Sequence, residues 1–312
     1  MRPSITNRVA NSTITLPGAF VLGAALWTTV WRQELLWVTL ATAFTAYVLM
    51  EMNNRNALIR VRTRSMASLF WLGAPLIYIA TATHGGEAPA GDGAELSLTA
   101  YGATPALLAA ATFELFTTYG KVEPVTSVFH CFVALGAAVC FCPPLVVCVP
   151  AFLIYLIIYM NVWSARVFSA ALLGLMLVAT CAALLAATGA VRLETLLPTW
   201  QQPSLTTLTA YPAWIVPLAA GLAGMGYFLS HNYDDKIQVR MMNYVIVCQW
   251  ALTQLLVVLM PSWMRLLAPV SWLFTAPLVA YQLSLSDSRW TTSWALILVS
   301  ATVALMVCRF AL

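Results

Sequence analysis

Residues 167–190 of this 312-residue chain read VFSAALLGLMLVATCAALLAATGA and contain no charged side chain. A transmembrane helix needs about 20 consecutive apolar residues, so this stretch is long enough to cross a bilayer. Its apolar residues are continuous, whereas the strands of a membrane β-barrel alternate in polarity over about ten residues. The stretch therefore predicts a membrane-spanning helix.

The same pattern recurs along almost the whole chain. Charged residues make up only 8% of it and hydrophobic residues 61%, with a mean hydropathy of +0.84. A soluble domain carries about 25% charged residues. About eleven segments have spanning length. The predicted spans are 13–31, 34–50, 66–84, 97–118, 125–142, 144–161, 167–190, 206–230, 241–260, 263–284 and 290–309.

This pattern predicts an all-α fold: a polytopic transmembrane helix bundle that forms one integral-membrane domain over residues 1–312, without a soluble domain. Ten spans are the alternative count, because the connections at 31–34 and 142–144 are very short. Pro143-Pro144 cannot continue a helix comfortably, so a hairpin or a kink is expected there. A re-entrant pair of helices also fits that segment.

The basic residues are distributed unequally between the two sides of the predicted bundle. Eleven lie on the side of the N-terminus and four on the other, and cytoplasmic loops carry the excess of Lys and Arg. We therefore expect a bacterial inner-membrane protein with a cytoplasmic N-terminus and a periplasmic C-terminus. The eleven are Arg2, Arg8, Arg55, Arg60, Arg62, Arg64, Lys121, Arg166, Lys236, Arg240 and Arg289, and the four are Arg32, Arg192, Arg265 and Arg309.

The densest polar segment follows the second predicted span, where residues 51–64 read EMNNRNALIRVRTR. Guanidinium groups bind phosphate oxygens in a bidentate way, so this segment is a candidate site for a lipid phosphate or an anionic head group. A positive anchor on anionic lipid is the alternative. On a helical extension Arg60 and Arg64 would share a face. We therefore assign the candidate site to Asn53, Asn56, Arg60 and Arg64.

A second polar segment, residues 231–240, reads HNYDDKIQVR and follows the eighth predicted span. Asp234 and Asp235 could hold a divalent cation, since hard cations take carboxylate oxygens. Two adjacent carboxylates supply too few ligands for a metal site, however. The segment is therefore interpreted as a solvated charged loop, and we predict no metal and no cofactor for the chain.

Glu114 is an acidic residue placed inside a predicted span, and His130 lies at a similar depth in the next one. Ionisable groups within a membrane are costly and are functional candidates by default. The two side chains are therefore a candidate proton relay, with a structural pair at the interface as the alternative. Gln249 and Gln254 are five residues apart and point in different directions, so we expect them to bond neighbouring helices.

The order of three features resembles an uncharacterised multi-span inner-membrane protein family of Bacteroidetes. These features are the Asn/Arg segment at 51–64, the Phe-Cys-Pro-Pro hairpin at 141–144, and the closing Ala-Pro-Val-Ser-Trp helix at 268–272 followed by Ser-Arg-Trp at 288–290. The likeness covers most of the chain. It implies an envelope-associated role and carries no active residues to this sequence.

No nucleophile elbow, phosphate-binding glycine loop or zincin motif is present, so the sequence does not decide whether the protein is an enzyme. The expected function is in cell-envelope biogenesis, on a lipid-linked or anionic, phosphate-bearing substrate. A secondary transporter or flippase, with Glu114 and His130 as the coupling pair, is one alternative, and a non-catalytic membrane scaffold is another. The expected partners are membrane lipids or other membrane proteins, and not nucleic acid.

Overall fold

The computed structural model describes residues 12, 15–29, 35–61, 63–82, 93–188 and 214–286, and within them the chain is all-helical without a β-strand. Ten α-helices follow the order of the first ten predicted spans. They are α1 (Thr15–Thr29), α2 (Leu35–Asn56), α3 (Ser65–Ala82), α4 (Gly93–Phe116), α5 (Val125–Phe141), α6 (Cys148–Ile158), α7 (Ala165–Ala187), α8 (Ile215–His231), α9 (Ile237–Leu259) and α10 (Met264–Leu285). Short 3-10 helices occupy Pro143–Val147, Asn232–Asp234 and Pro261–Trp263.

Four of these elements are long and apolar enough to cross a membrane, namely α2, α7, α9 and α10 with the 3-10 turn before it. This confirms an all-helical chain with apolar helices of spanning length. The predicted span 290–309 and the short connection at 31–34 lie outside the described residues.

Helix α10 is the centre of the bundle and packs against α3, α4, α8 and α9. On one side of it α2 packs on α4, and α4, α5 and α7 follow in sequence. At three helix–helix contacts a tryptophan ring lies directly against a glycine, so that a Cβ on the glycine would overlap the indole. The pairs are Trp71 with Gly23, Trp272 with Gly73, and Trp250 with Gly221. The second pair joins α10 to α3, and the Trp272 indole of α10 also donates a hydrogen bond of 3.1 Å to the Leu69 carbonyl of α3.

The chain reverses at the double proline, as predicted. Helix α5 ends at Phe141, the 3-10 turn Pro143–Val147 follows, and α6 has only 11 residues, or about 16 Å. The predicted span 144–161 is therefore one 3-10 turn and a short helix. An ion pair of 3.0 Å between Arg166 and Glu123 shows that the chain has returned to the end at which α5 begins.

Two boundaries differ from the prediction in a way that changes the candidate site. Helix α2 continues to Asn56 rather than ending at residue 50, and α9 begins at Ile237 rather than at residue 241. Asn53 and Asn56 therefore lie on a helix. Residues 57–61, 63 and 64 are not helical, so the expectation that Arg60 and Arg64 share a helical face was wrong.

Candidate functional site

The two polar segments singled out in the sequence meet at one end of the bundle, which we call the polar end. It comprises the connection 57–64, the turn 232–236 and the last turn of α10. Arg60 from the first segment reaches both aspartates of the second: its Nε lies 2.7 Å from Asp235 Oδ1 and its Nη2 lies 3.5 Å from Asp234 Oδ2. Two distant parts of the chain are thus held together by charge.

Asp235 is the buried member of this group, and its side chain has no exposed area. Its Oδ2 accepts a hydrogen bond of 2.6 Å from the Tyr281 hydroxyl of α10. Its Oδ1 has no aligned hydrogen bond and faces only the Arg60 guanidinium as a charge contact. A buried charge that loses its partner is strongly destabilising. Asp235 therefore depends on Arg60 for its counter-charge.

Arg60, in contrast, remains partly accessible, since 37% of its side chain is exposed. Its Nη2 also donates to the His231 carbonyl at 3.3 Å. Burial acts to lower the pKa of Arg60, but the hydrogen bond with Tyr281 and the charges of Asp235 and Asp234 outweigh it, so that its pKa is raised. Arg60 is therefore a permanent cation, held in place on one edge and accessible on the other.

The backbone that carries Arg60 is fixed by buried amides. Asn53 donates to the Thr63 carbonyl at 2.9 Å and accepts from the Ile59 amide at 3.1 Å. Its side chain thus bonds the backbone on both sides of Arg60. Asn243 of α9 donates to the Leu58 carbonyl at 3.1 Å. Ala57 has a φ of 50°, a left-handed conformation that a residue other than glycine adopts only where its surroundings hold it.

The predicted phosphate-binding residues therefore have different environments. Asn53 is buried and uses its amide on the backbone, and Asn56 donates to the Met52 carbonyl of its own helix at 3.1 Å. Arg64 is exposed, and its side chain makes no hydrogen bond or ion pair within the described part of the chain. The structure thus brings Arg60 and Arg64 to the polar end and turns the two asparagines into structural residues. Arg62 lies outside the described residues.

Other cations surround the polar end. Arg55 pairs with Glu51 at 2.6 Å and lies over the Phe113 ring, while Arg240 lies over the Tyr233 ring. Lys121 and Lys236 are exposed. The described basic residues, apart from Arg265, therefore gather at this end.

Glu114 and His130, the predicted proton relay, lie on the neighbouring helices α4 and α5. Glu114 is half-buried, and the Thr117 hydroxyl just beyond the end of α4 lies 3.5 Å from Glu114 Oε2 and 3.0 Å from Ser127 Oγ of α5. His130 is exposed and lies against Phe129. Among the described residues neither side chain forms an ion pair with the other, so the α4–α5 hairpin is closed by hydroxyl groups.

The two glutamines of α9 bond neighbouring helices, as predicted. Gln254 accepts from the Trp214 indole at 2.8 Å and donates to Ser271 of α10 at 2.6 Å. Gln249 donates to Cys148 Sγ of α6 at 3.0 Å. These contacts join α9 to its neighbours at different points along its length.

Sequence reasoning missed the role of Asp235, which it placed in a solvated loop together with Asp234. The structure separates the pair: Asp234 has 67% of its side chain exposed, whereas Asp235 is enclosed and faces Arg60 rather than a cation from solution. The sequence does carry one signal. Adjacent side chains in a 3-10 turn point in different directions, so the two neighbouring aspartates need not share one environment.

Comparison of the chain with protein-family models, with curated proteins and with solved structures finds no match.

Proposed function

We propose that this protein is a polytopic membrane protein of the cell envelope that handles a lipid-linked or anionic, phosphate-bearing substrate at its polar end. The observation that carries the proposal is Arg60, a guanidinium held by a rigid connection and a buried carboxylate, yet with an accessible edge. Arg64 lies nearby in the chain as an exposed cation. Guanidinium groups fixed in this way suit the oxygens of a phosphoryl group.

The proposal includes a topology. We propose about eleven spans without a soluble domain, in a bacterial inner membrane, with the polar end in the cytoplasm and the C-terminus in the periplasm. The clustering of described basic residues at one end supports this orientation, because cytoplasmic ends carry the excess of positive charge. A C-terminal alkaline phosphatase fusion should be active and a C-terminal fluorescent protein dark. The reverse result would mean an even number of spans.

Binding of a short-chain phosphatidylglycerol tests the proposed site, and the zwitterionic phosphatidylcholine of equal chain length serves as the comparison ligand. Calorimetry in neutral detergent should show tighter binding of phosphatidylglycerol. Arg64→Ala should weaken it about tenfold, the value of one charge-assisted hydrogen bond. Arg64→Lys should restore only part of the affinity, since lysine lacks the guanidinium fork.

Lys121→Gln is the matched control, because it removes one exposed positive charge from the same end of the bundle. It should leave the affinity within about twofold. If phosphatidylglycerol binds no tighter than phosphatidylcholine, or if Lys121→Gln weakens binding as much as Arg64→Ala does, the arginines are only a membrane anchor.

A second candidate is a transporter or flippase, which the prolines inside the central helices favour. Pro75, Pro105, Pro269 and Pro277 lie inside α3, α4 and α10, which pack together at the centre of the bundle. Each proline removes a backbone hydrogen bond from its helix and favours bending there, which suits a protein whose helices move during transport. Reconstitution with a fluorescent phospholipid tests this: faster transfer between leaflets than in protein-free vesicles would support it, and equal rates would count against it.

A further inference from the structure

Asp235 and the proposed anionic ligand compete for the same guanidinium. The Asp235 carboxylate has no exposed area and has two partners, Arg60 and Tyr281. If a phosphoryl group takes Arg60, Tyr281 still donates to Oδ2, but Oδ1 loses the only counter-charge that it has among the described residues. A buried carboxylate in that position is unfavourable in its ionised form.

We infer that Asp235 is a proton-binding site coupled to the ligand: when an anionic head group engages Arg60, Asp235 Oδ1 takes up one proton from solution. This inference rests on the proposed function, since it concerns the same arginine. Arg60 stays protonated and moves from the carboxylate to the phosphoryl oxygens, so that one anion and one proton enter the site together and its net charge is unchanged. The coupling is thus placed at the polar end and not at Glu114 and His130.

The surroundings of Asp235 contain the elements that this exchange requires. Asp234 faces Arg60 from the solvent side at 3.5 Å, with 67% of its side chain exposed, and so offers the guanidinium a second position. Pro277 lies one turn before Tyr281 and removes a backbone hydrogen bond from α10. The last turn of α10 can therefore adjust when Arg60 moves away from Asp235.

The other titratable or charged groups around Asp235 are few. Lys236 is its exposed neighbour in the turn, and Tyr227 and His231 lie on α8. The His231 ring stacks on Tyr227, and its Nδ1 lies 2.8 Å from Ser230 Oγ.

The affinity for phosphatidylglycerol as a function of pH tests the coupling. This phosphodiester keeps one negative charge between about pH 5.5 and 8, so a pH dependence of binding must come from the protein. In the wild-type protein the affinity should rise as pH falls, by up to about tenfold per pH unit where one proton is taken up per ligand. Asp235→Asn should bind more tightly at pH 8 and should lose the pH dependence. His231→Gln is the control and should retain it.

A second measurement does not depend on any variant. Addition of phosphatidylglycerol to the wild-type protein in weakly buffered detergent solution should remove about one proton from solution per ligand bound, as a pH indicator reports. Binding without proton uptake, or an unchanged pH dependence in Asp235→Asn, would overturn the coupling and leave the proposed function standing. Absence of any phosphatidylglycerol binding would overturn both.

Discussion

Helices α7 and α10 are both long enough to cross a membrane, yet their environments are opposite. Of the spanning window, 83% is buried for α10 and 17% for α7, although α7 is the more hydrophobic of the two. Helix α10 carries Ser271, Thr275 and Ser284, all buried, whereas the exposed face of α7 consists of large apolar residues such as Leu173 and Met176.

The difference shows that hydropathy does not report burial in this protein. A helix that faces lipid must be apolar on its outer surface, while a helix surrounded by other helices can use small and polar side chains for contact. In α10 these contacts are specific: Ser271 accepts from Gln254, and Thr275 accepts from the Trp250 indole at 3.2 Å. Of these two helices, the more hydrophobic one is thus the less buried.

The largest effect on stability is expected at the end of α10, where Tyr281 and Arg60 contact the buried Asp235. Arg60→Ala leaves Asp235 enclosed without a cation, and we expect a loss of about 3 kcal/mol in the free energy of unfolding. Asp235→Asn should cost less, because Arg60 is partly exposed and can turn to water. Unfolding by sodium dodecyl sulfate in mixed micelles measures both. Equal losses in the two variants would contradict the assignment of Asp235 as the buried partner.

A smaller loss is expected between α8 and α10. A Cβ at Gly224 would lie 2.7 Å from the backbone carbonyl carbon of Leu278, and backbone atoms cannot move aside cheaply. Gly224→Ala should therefore lower stability by about 2 kcal/mol. Gly226→Ala, two residues along the same helix, meets nothing within 4 Å. It should be neutral or slightly stabilising, and a similar loss in both variants would contradict the close approach.

The hydrogen bonds between α9 and its neighbours should contribute less. Gln254→Ala leaves the Trp214 indole and Ser271 without their partner, and hydrogen bonds between membrane helices average about 0.6 kcal/mol, with a maximum of about 1.7. We expect a loss of about 1 kcal/mol in the same unfolding measurement. Gln282→Ala on α10, where the side chain is only half-buried, is the control and should have little effect.

The smallest effect is expected on the outer face of α7. Leu177 is 47% exposed, and Leu177→Ala should change stability by less than about 0.5 kcal/mol, since this side chain contacts lipid both before and after the helices separate. Leu173→Ala on the same face should behave alike. A loss above about 1 kcal/mol at either position would show that α7 is covered by another protein surface rather than by lipid.

The helical fold and the positions of its first ten helices could be predicted because continuous apolar runs have one stable solution in lipid. The reversal at Pro143-Pro144 was also predictable, since proline lacks the amide that a helix needs. The pairing of Arg60 with Asp235 was not, because the two lie in segments that come together only through the packing of α2, α8 and α10. The end of α2 was missed for a related reason: Asn53 is polar, but its partners lie in the connection that follows it.

The separation between Arg60 and its partners also has a consequence for biosynthesis. Arg60 and Asp234 are 174 residues apart, and Ser65 and Ser284, which contact each other at the same end, are 219 apart. At about 5–20 residues per second, a ribosome reaches the aspartates roughly 10 to 35 seconds after Arg60 has been made. The first seven helices are therefore synthesised while the polar end is still incomplete, and translation of α8 to α10 is the step that completes it.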